Sequence, residues 1–301
     1  MRSGGGLFRD QLAAESEKPQ VSGVVRPGDR SGSGRGRTPV RSVRFMDANA
    51  MHSVAGRVVI VTGSGRGVGK GIARHLGLGG ARVVVAEWKP ALLEEACAEL
   101  GELGVDHLGV GCDVSDRSSI EAMVAATVEH FGRIDAIVNN AQSFRPMAAL
   151  AEVSEDDVEV FHRSGVLGTL WAMQAVFPHM RDQGWGRIVN FASSMGITGG
   201  AGFAAYNASK EAIRALTRTA AREWGAHGIS VNAVAPAAAT HKGEAATRSE
   251  GYRRFVEQCP MGRQGDPETD IAPIVWFLCS DACRFLTGHT FMADGGAFMW
   301  A

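Results

Sequence analysis

The sequence predicts an α/β protein with a doubly wound parallel sheet, and three observations carry that reading. Short apolar runs rich in Val and Ile alternate with longer stretches of helical spacing. The first of these runs ends in a glycine cluster that opens a helix. No Pro/Gly-rich linker or internal repeat divides residues 52–301, so this span reads as a single domain.

The elements follow in order. Strands are expected at residues 58–61, 82–86, 107–112, 134–138, 188–191 and 229–234, where the runs are nearly unbroken because helices are to cover both faces of the sheet. Helices are expected at 67–78, 90–103, 117–131, 155–181 and 205–224, each with an apolar stripe. Strands alternating with helices give parallel pairing through right-handed crossovers.

Composition bounds the function classes. The 301 residues are 45% hydrophobic and 21% charged, with a formal net charge of −1. That balance argues against attraction to nucleic acid or to an anionic membrane surface. No run of 18 apolar residues is present, which excludes a transmembrane helix of ordinary length. Five cysteines without framework spacing argue against a disulfide scaffold and for a reducing, cytoplasmic setting. Cys279 and Cys283 have no further ligands at metal spacing, so no metal site is expected and they read as buried thiols. Residues 1–51 read as a disordered basic extension rich in Gly, Arg and Ser, or as the product of a start placed ahead of Met46 or Met51. A nucleic-acid-binding or targeting arm is the competing reading.

The first strand runs into Thr62-Gly63-Ser64-Gly65-Arg66-Gly67-Val68-Gly69. Glycines between a strand and a helix let the backbone approach a pyrophosphate, and the helix N-terminus offers that anion free N–H groups and a positive dipole. Glu87 ends the second strand, where a carboxylate accepts hydrogen bonds from an adenosine 2′-hydroxyl and repels a 2′-phosphate. This favours NAD over NADP, although Arg66 and Lys89 are cations near enough in sequence to hold a 2′-phosphate. Asp113 ends the third strand-like segment, where it either meets the adenine edge or caps the next helix, a role open also to Ser115 and Asp116.

Tyr206 and Lys210 stand four apart on an expected helix and share a face. An ammonium beside a phenol lowers its pKa, so the tyrosine can exchange a proton with a substrate hydroxyl near neutral pH. Ser193 follows the fifth run and can bond the same substrate oxygen.

Together these segments resemble the short-chain dehydrogenase/reductase family over residues 52–298. The marks are the glycine turn, Asn139-Asn140-Ala141, Ser193, Tyr206-x-x-x-Lys210, Arg263-x-Gly265-Asp266-Pro267-Glu268, Thr287-Gly288 and Asp294-Gly295-Gly296. The resemblance implies a Rossmann-type fold with a seven-stranded sheet, Ser193, Tyr206 and Lys210 as the catalytic set, and a homotetramer or homodimer paired through the helices at 155–181 and 205–224. It implies cofactor contacts from Gly63, Arg66, Gly67, Val68, Gly69, Glu87, Asp113, Val114, Asn140, Ala141, Tyr206, Lys210, Pro236 and Thr240.

Three departures stand out. Gln142 replaces the usual Gly after Asn-Asn-Ala, Ala237 replaces the usual Gly after Pro236, and Ser164 or Gly165 occupies the slot of a usual Asn in the long crossover helix. Water or Ser164 is expected to stand in for that Asn, or turnover to be slower. The loops at 142–145, 195–203 and 237–260 are expected to form the pocket. Phe144, Met195, Ile197 and Phe203 point to a largely apolar alcohol or ketone, and 242–257 to a lid. The leading expectation is an NAD(H)-dependent alcohol–ketone oxidoreductase. The alternatives are an NADPH-dependent 3-oxoacyl-carrier-protein reductase and a dinucleotide-binding regulator without turnover.

Overall fold

The computed structural model describes residues 51–238 and 250–299; residues 1–50, Thr240 and the first part of the expected lid lie outside the described residues. The first half alternates strand and helix: β1 (Val58–Thr62), α1 (Gly67–Leu78), β2 (Arg82–Glu87), α2 (Pro90–Glu102), β3 (His107–Gly111), α3 (Arg117–Phe131) and β4 (Ala136–Asn139). The second half continues with α4 (Glu155–Phe161), α5 (Gly168–Gln183), β5 (Gly186–Phe191), a short α6 (Ser194–Thr198), the long α7 (Ala204–Trp224) and β6 (Ile229–Pro236). After α8 (Glu250–Gln258) come α9 (Ala272–Cys279) and β7 (Thr290–Ala293).

Seven strands make one sheet in the order β3-β2-β1-β4-β5-β6-β7, and each neighbouring pair is parallel. Side chains alternate across a strand, so each strand feeds both faces. Val59 and Val61 of β1 pack with Ile72, Leu76, Val275 and Leu278 under α1 and α9. Val58 and Ile60 pack on the other face with Ile120, Met123, Met173 and Val176 under α3 and α5. Cys279 and Cys283 are buried in the first of these cores. The chain reverses its direction of winding between β1 and β4, which opens a crevice at the carboxyl ends of those strands.

The expected helix at 155–181 is interrupted. His162–Leu167 form a π-turn that joins α4 to α5 and buries Ser164, Gly165 and Val166. The Ser164 hydroxyl donates to the Val160 carbonyl at 2.6 Å and accepts the Ser143 N–H at 3.1 Å, so the turn is tied to the loop after β4. Apolar spacing does not reveal such a turn, because its six residues are too short a stretch to register.

A buried polar chain orients α7. Asn139 at the end of β4 donates to Asn190 of β5 at 2.9 Å, and Asn190 donates to Thr217 of α7 at 2.9 Å. Buried amides left unpaired are costly, so this chain holds the helix at one position over the sheet.

Candidate active site

At the crevice the glycine turn is shaped by contact with the loop after β4. Thr62 ends β1, and its hydroxyl oxygen accepts the N–H groups of Asn140 and Ala141, each at 3.1 Å. The Asn140 side chain donates to the carbonyls of Thr62 at 2.9 Å and Gly63 at 3.2 Å. Gly63 has φ +65° and lies where a Cβ would be 3.0 Å from Ala141. A Cβ at Gly69 would stand 2.2 Å from the Gly63 carbonyl oxygen, so α1 can pack onto the turn only with glycine there. Arg66 is exposed, and among the described residues Gly67 (φ +57°) faces open space and no side chain caps the first turn of α1. Val68 packs against the first core. Open glycine and uncapped N–H groups fit the pyrophosphate of a dinucleotide.

Glu87 is buried at the end of β2. Its carboxylate accepts the Gly65 N–H at 3.2 Å through one oxygen and the Lys89 N–H at 3.2 Å through the other. The acidic group is therefore fixed beside the turn. Asp113 is exposed and accepts both the N–H (2.9 Å) and the hydroxyl (2.7 Å) of Ser115, while Asp116 is the residue that caps α3. Val114 is half-buried against the second core. Pro236 ends β6, and the Ala237 departure leaves the chain in place: its N–H donates to Ala293 at 2.9 Å and its carbonyl accepts from Gly265 at 2.9 Å.

Ser193, Tyr206 and Lys210 come together on the other side of the crevice. Ser193 caps α6 just past β5, accepting the Met195 N–H at 3.2 Å. Tyr206 is half-buried; burial pushes the pKa of its hydroxyl upward, and the neighbouring Ser193 opposes that shift. Lys210 is buried, with its Nζ 5.5 Å from the Tyr206 ring centroid and donating to the Phe191 carbonyl at 2.8 Å. Desolvation brings its pKa down to about 7.

Tyr206, Lys210, Asn140, Gln142, Phe191 and Pro236 share the walls of a cavity of about 190 Å³. Beside it, a smaller pocket runs along Tyr206, Phe161, Phe203 and Arg145. Phe161 stands edge-on to both Tyr206 (5.7 Å) and Phe144 (6.2 Å). Sequence reading missed Phe161 as a pocket residue, because it belongs to the apolar stripe of a helix. It also missed Thr62 and Ser209, whose roles depend on loops that meet only in the fold. Among the described residues no group of three or more His, Cys, Asp or Glu is placed to hold a metal ion, and no helix is long and apolar enough to cross a membrane.

A family model described as enoyl-(acyl carrier protein) reductase matches residues 63–297. A 12α-hydroxysteroid dehydrogenase from a Clostridium species is 36% identical over 250 residues, covering 80% of this chain and 96% of the relative. The chain belongs to the short-chain dehydrogenase/reductase family. A 3-oxoacyl-[acyl-carrier-protein] reductase from Staphylococcus aureus is also 36% identical, covering 80% of this chain and 97% of its own. Among solved structures, a gluconate 5-dehydrogenase from Burkholderia cenocepacia, in complex with NADP and tartrate, superposes with a TM-score of 0.78 at 29% identity, over 83% of this chain and 98% of that one. As a short-chain dehydrogenase/reductase, the protein is an NAD(P)-dependent oxidoreductase acting on CH–OH donors.

Proposed function

We propose that the protein interconverts a secondary alcohol and a ketone, using Ser193, Tyr206 and Lys210 as its catalytic set and NAD(H) in preference to NADP(H). The observation that carries this is the buried Lys210 amine beside the Tyr206 ring, with Ser193 close enough to bias the same hydroxyl. In the oxidative direction Tyr206 takes the proton of the substrate hydroxyl while Ser193 donates a hydrogen bond to the same oxygen. Protonated Lys210 stabilises the phenolate and lowers its proton affinity. When bound, the dinucleotide supplies the hydride acceptor or donor. Gly63, Gly67, Val68 and Gly69 would hold its pyrophosphate, Asn140 and Ala141 would contact it from the loop after β4, and Asp113 and Val114 would serve its adenine end. Pro236 would stand on the nicotinamide side, and Thr240, expected there from the sequence, lies outside the described residues.

Glu87 supports the preference for NAD. Its carboxylate is buried and tied to the glycine turn, so a 2′-phosphate would meet a fixed negative charge. The exposed Arg66 and Lys89, with the likeness to a 3-oxoacyl-[acyl-carrier-protein] reductase, support a second reading, an NADPH-dependent reductase of acyl-carrier thioesters. Titration with both cofactors separates the two: tighter binding of NADP(H) than NAD(H) would overturn the first.

The walls formed by Phe144, Phe161 and Phe203 support a largely apolar substrate. A panel holding a 12α-hydroxysteroid, a 3-oxoacyl thioester, gluconate and simple secondary alcohols, followed by nicotinamide absorbance, tests the substrate class. Tyr206→Phe is expected to lower kcat by about 10³-fold, within the range for loss of a general acid–base; full turnover in that variant would sink the assignment. We also propose a cytoplasmic homotetramer or homodimer. The stacked, half-buried Phe177 and Trp224 (4.6 Å) on α5 and α7 support pairing through those helices, which sedimentation can test.

A further inference from the structure

Gln142 and Gly165 are far apart in sequence but occupy one space. A Cβ built on Gly165 would stand 2.3 Å from Gln142 Nε2 and 2.9 Å from its Cδ, so the Gln142 amide lies where a side chain at 165 would project. That amide is engaged on both protons. Nε2 donates to the Ser209 hydroxyl at 2.8 Å and to the Phe161 carbonyl at 3.4 Å. Ser209 lies in the helical turn between Tyr206 and Lys210, and its own hydroxyl donates to the Tyr206 carbonyl at 2.7 Å. Phe161 is the last residue of α4 and packs edge-on against the Tyr206 ring. One side chain from the loop after β4 therefore links the end of α4, the π-turn and the Tyr206–Lys210 turn.

The link is retained at a cost. Among the described residues Gln142 Oε1 is buried without a hydrogen-bond partner, a state that ordinarily destabilises a fold. A glycine inside a helical segment costs stability as well, and Gly165 sits in the middle of the π-turn. Two unfavourable features that meet at one point are accounted for if each exists to accommodate the other.

We propose that Gln142 is a positioning residue for the Tyr206–Lys210 turn, acting through Ser209, and that Gly165 is its obligate partner. The residues at positions 142 and 165 then form one unit, in which the loop amide fills the space that glycine leaves in the π-turn. This rests on the reading of Tyr206 and Lys210 as catalytic.

The test is a mutant cycle on the full chain, read with a secondary alcohol found active in the panel. Gln142→Ala is expected to lower kcat by about ten- to a hundredfold, the scale of misplacing a reacting group by roughly an ångström. The KM for the cofactor should stay unchanged. The acid limb of the kcat profile for alcohol oxidation should move up by about one pH unit as lysine and tyrosine lose their set spacing. Gly165→Ala should lower kcat in the parent, where the new methyl displaces the amide. It should have no further effect once residue 142 is glycine. Gln142→Gly combined with Gly165→Asn should regain activity to within about threefold of the parent, a strongly non-additive outcome.

Parent-like kcat and pH profile in Gln142→Ala would overturn the proposal, as would a combined variant no better than the product of its singles. If Gly165→Asn does not fold, the Gln142→Ala profile and the Gly165→Ala pair decide. Tyr206→Phe, run in parallel, keeps the two ideas apart. A dead Tyr206→Phe beside a normal Gln142→Ala removes only the positioning role, whereas a fully active Tyr206→Phe removes the catalytic reading beneath it.

Discussion

A lysine withdrawn from water holds its proton weakly. The Lys210 amine is buried, and desolvation alone brings it to about 7 from 10.5. Between those values the unfolded chain binds a proton that the folded chain does not, so burial of this amine disfavours folding. The penalty is absent above about pH 10.5, grows as the pH falls, and is complete below about 7. Lys210→Met removes it. The variant is expected to melt about 5 °C above the parent at pH 7, with the difference shrinking toward zero at pH 10, and to lose turnover. Thermal melts at the two pH values check this; a pH-independent difference would contradict it. Residues of this kind were legible from spacing. Tyr206 and Lys210 share a helix face at i, i+4, and Ser193 follows a strand end. Gln142 was legible only as an oddity, because its meaning lies in Gly165 and Ser209, which reach it through the fold and not through the chain.

Glycines at the level of the element show which conformational demands are local. Gly69 in the first turn of α1 leaves no room for a methyl, since the nearest atom, at 2.2 Å, is the backbone oxygen of Gly63. Gly69→Ala is expected to cost about 2 kcal/mol of stability, and to weaken dinucleotide binding about tenfold because the turn itself must shift. Gly101 in α2 is the contrast. A Cβ there meets nothing closer than 3.7 Å, so Gly101→Ala should stabilise by about 0.5–1 kcal/mol with unchanged cofactor affinity. Urea melts and cofactor titration of the pair test the distinction. The strands and most helices could be read from Val/Ile runs and apolar stripes, because each element buries a face whose period shows in the sequence. The π-turn at His162–Leu167 could not, because it alters backbone hydrogen bonding over only six residues, too short a stretch for apolar spacing to register.

Across the whole sheet, the crevice lies at the carboxyl ends of the strands and a charged clasp lies at the amino ends. Asp135, fully buried before β4, accepts the Val58 N–H at 2.9 Å and is paired with Arg133 at 2.6 Å and Arg57 at 3.4 Å. Arg57 and the buried Arg187 both lie against the Trp185 ring, at 3.8 and 4.1 Å, and Asp281 pairs with both. Asp135→Asn replaces a fully buried carboxylate with an amide that cannot accept on both sides, and should cost about 2 kcal/mol. Its kcat at a temperature where it is folded should remain within about twofold of the parent, because distant sites act independently. Denaturant melts beside turnover check both halves. The clasp was invisible in the sequence, since its members come from four separate segments. Its distance from the crevice has an evolutionary consequence. Residues around the mouth can be rewritten without touching what anchors the strands, so on this frame a change of substrate need not cost the fold its stability. Relatives named for a hydroxysteroid, an acyl-carrier-protein thioester and gluconate are what such a division of labour would leave behind.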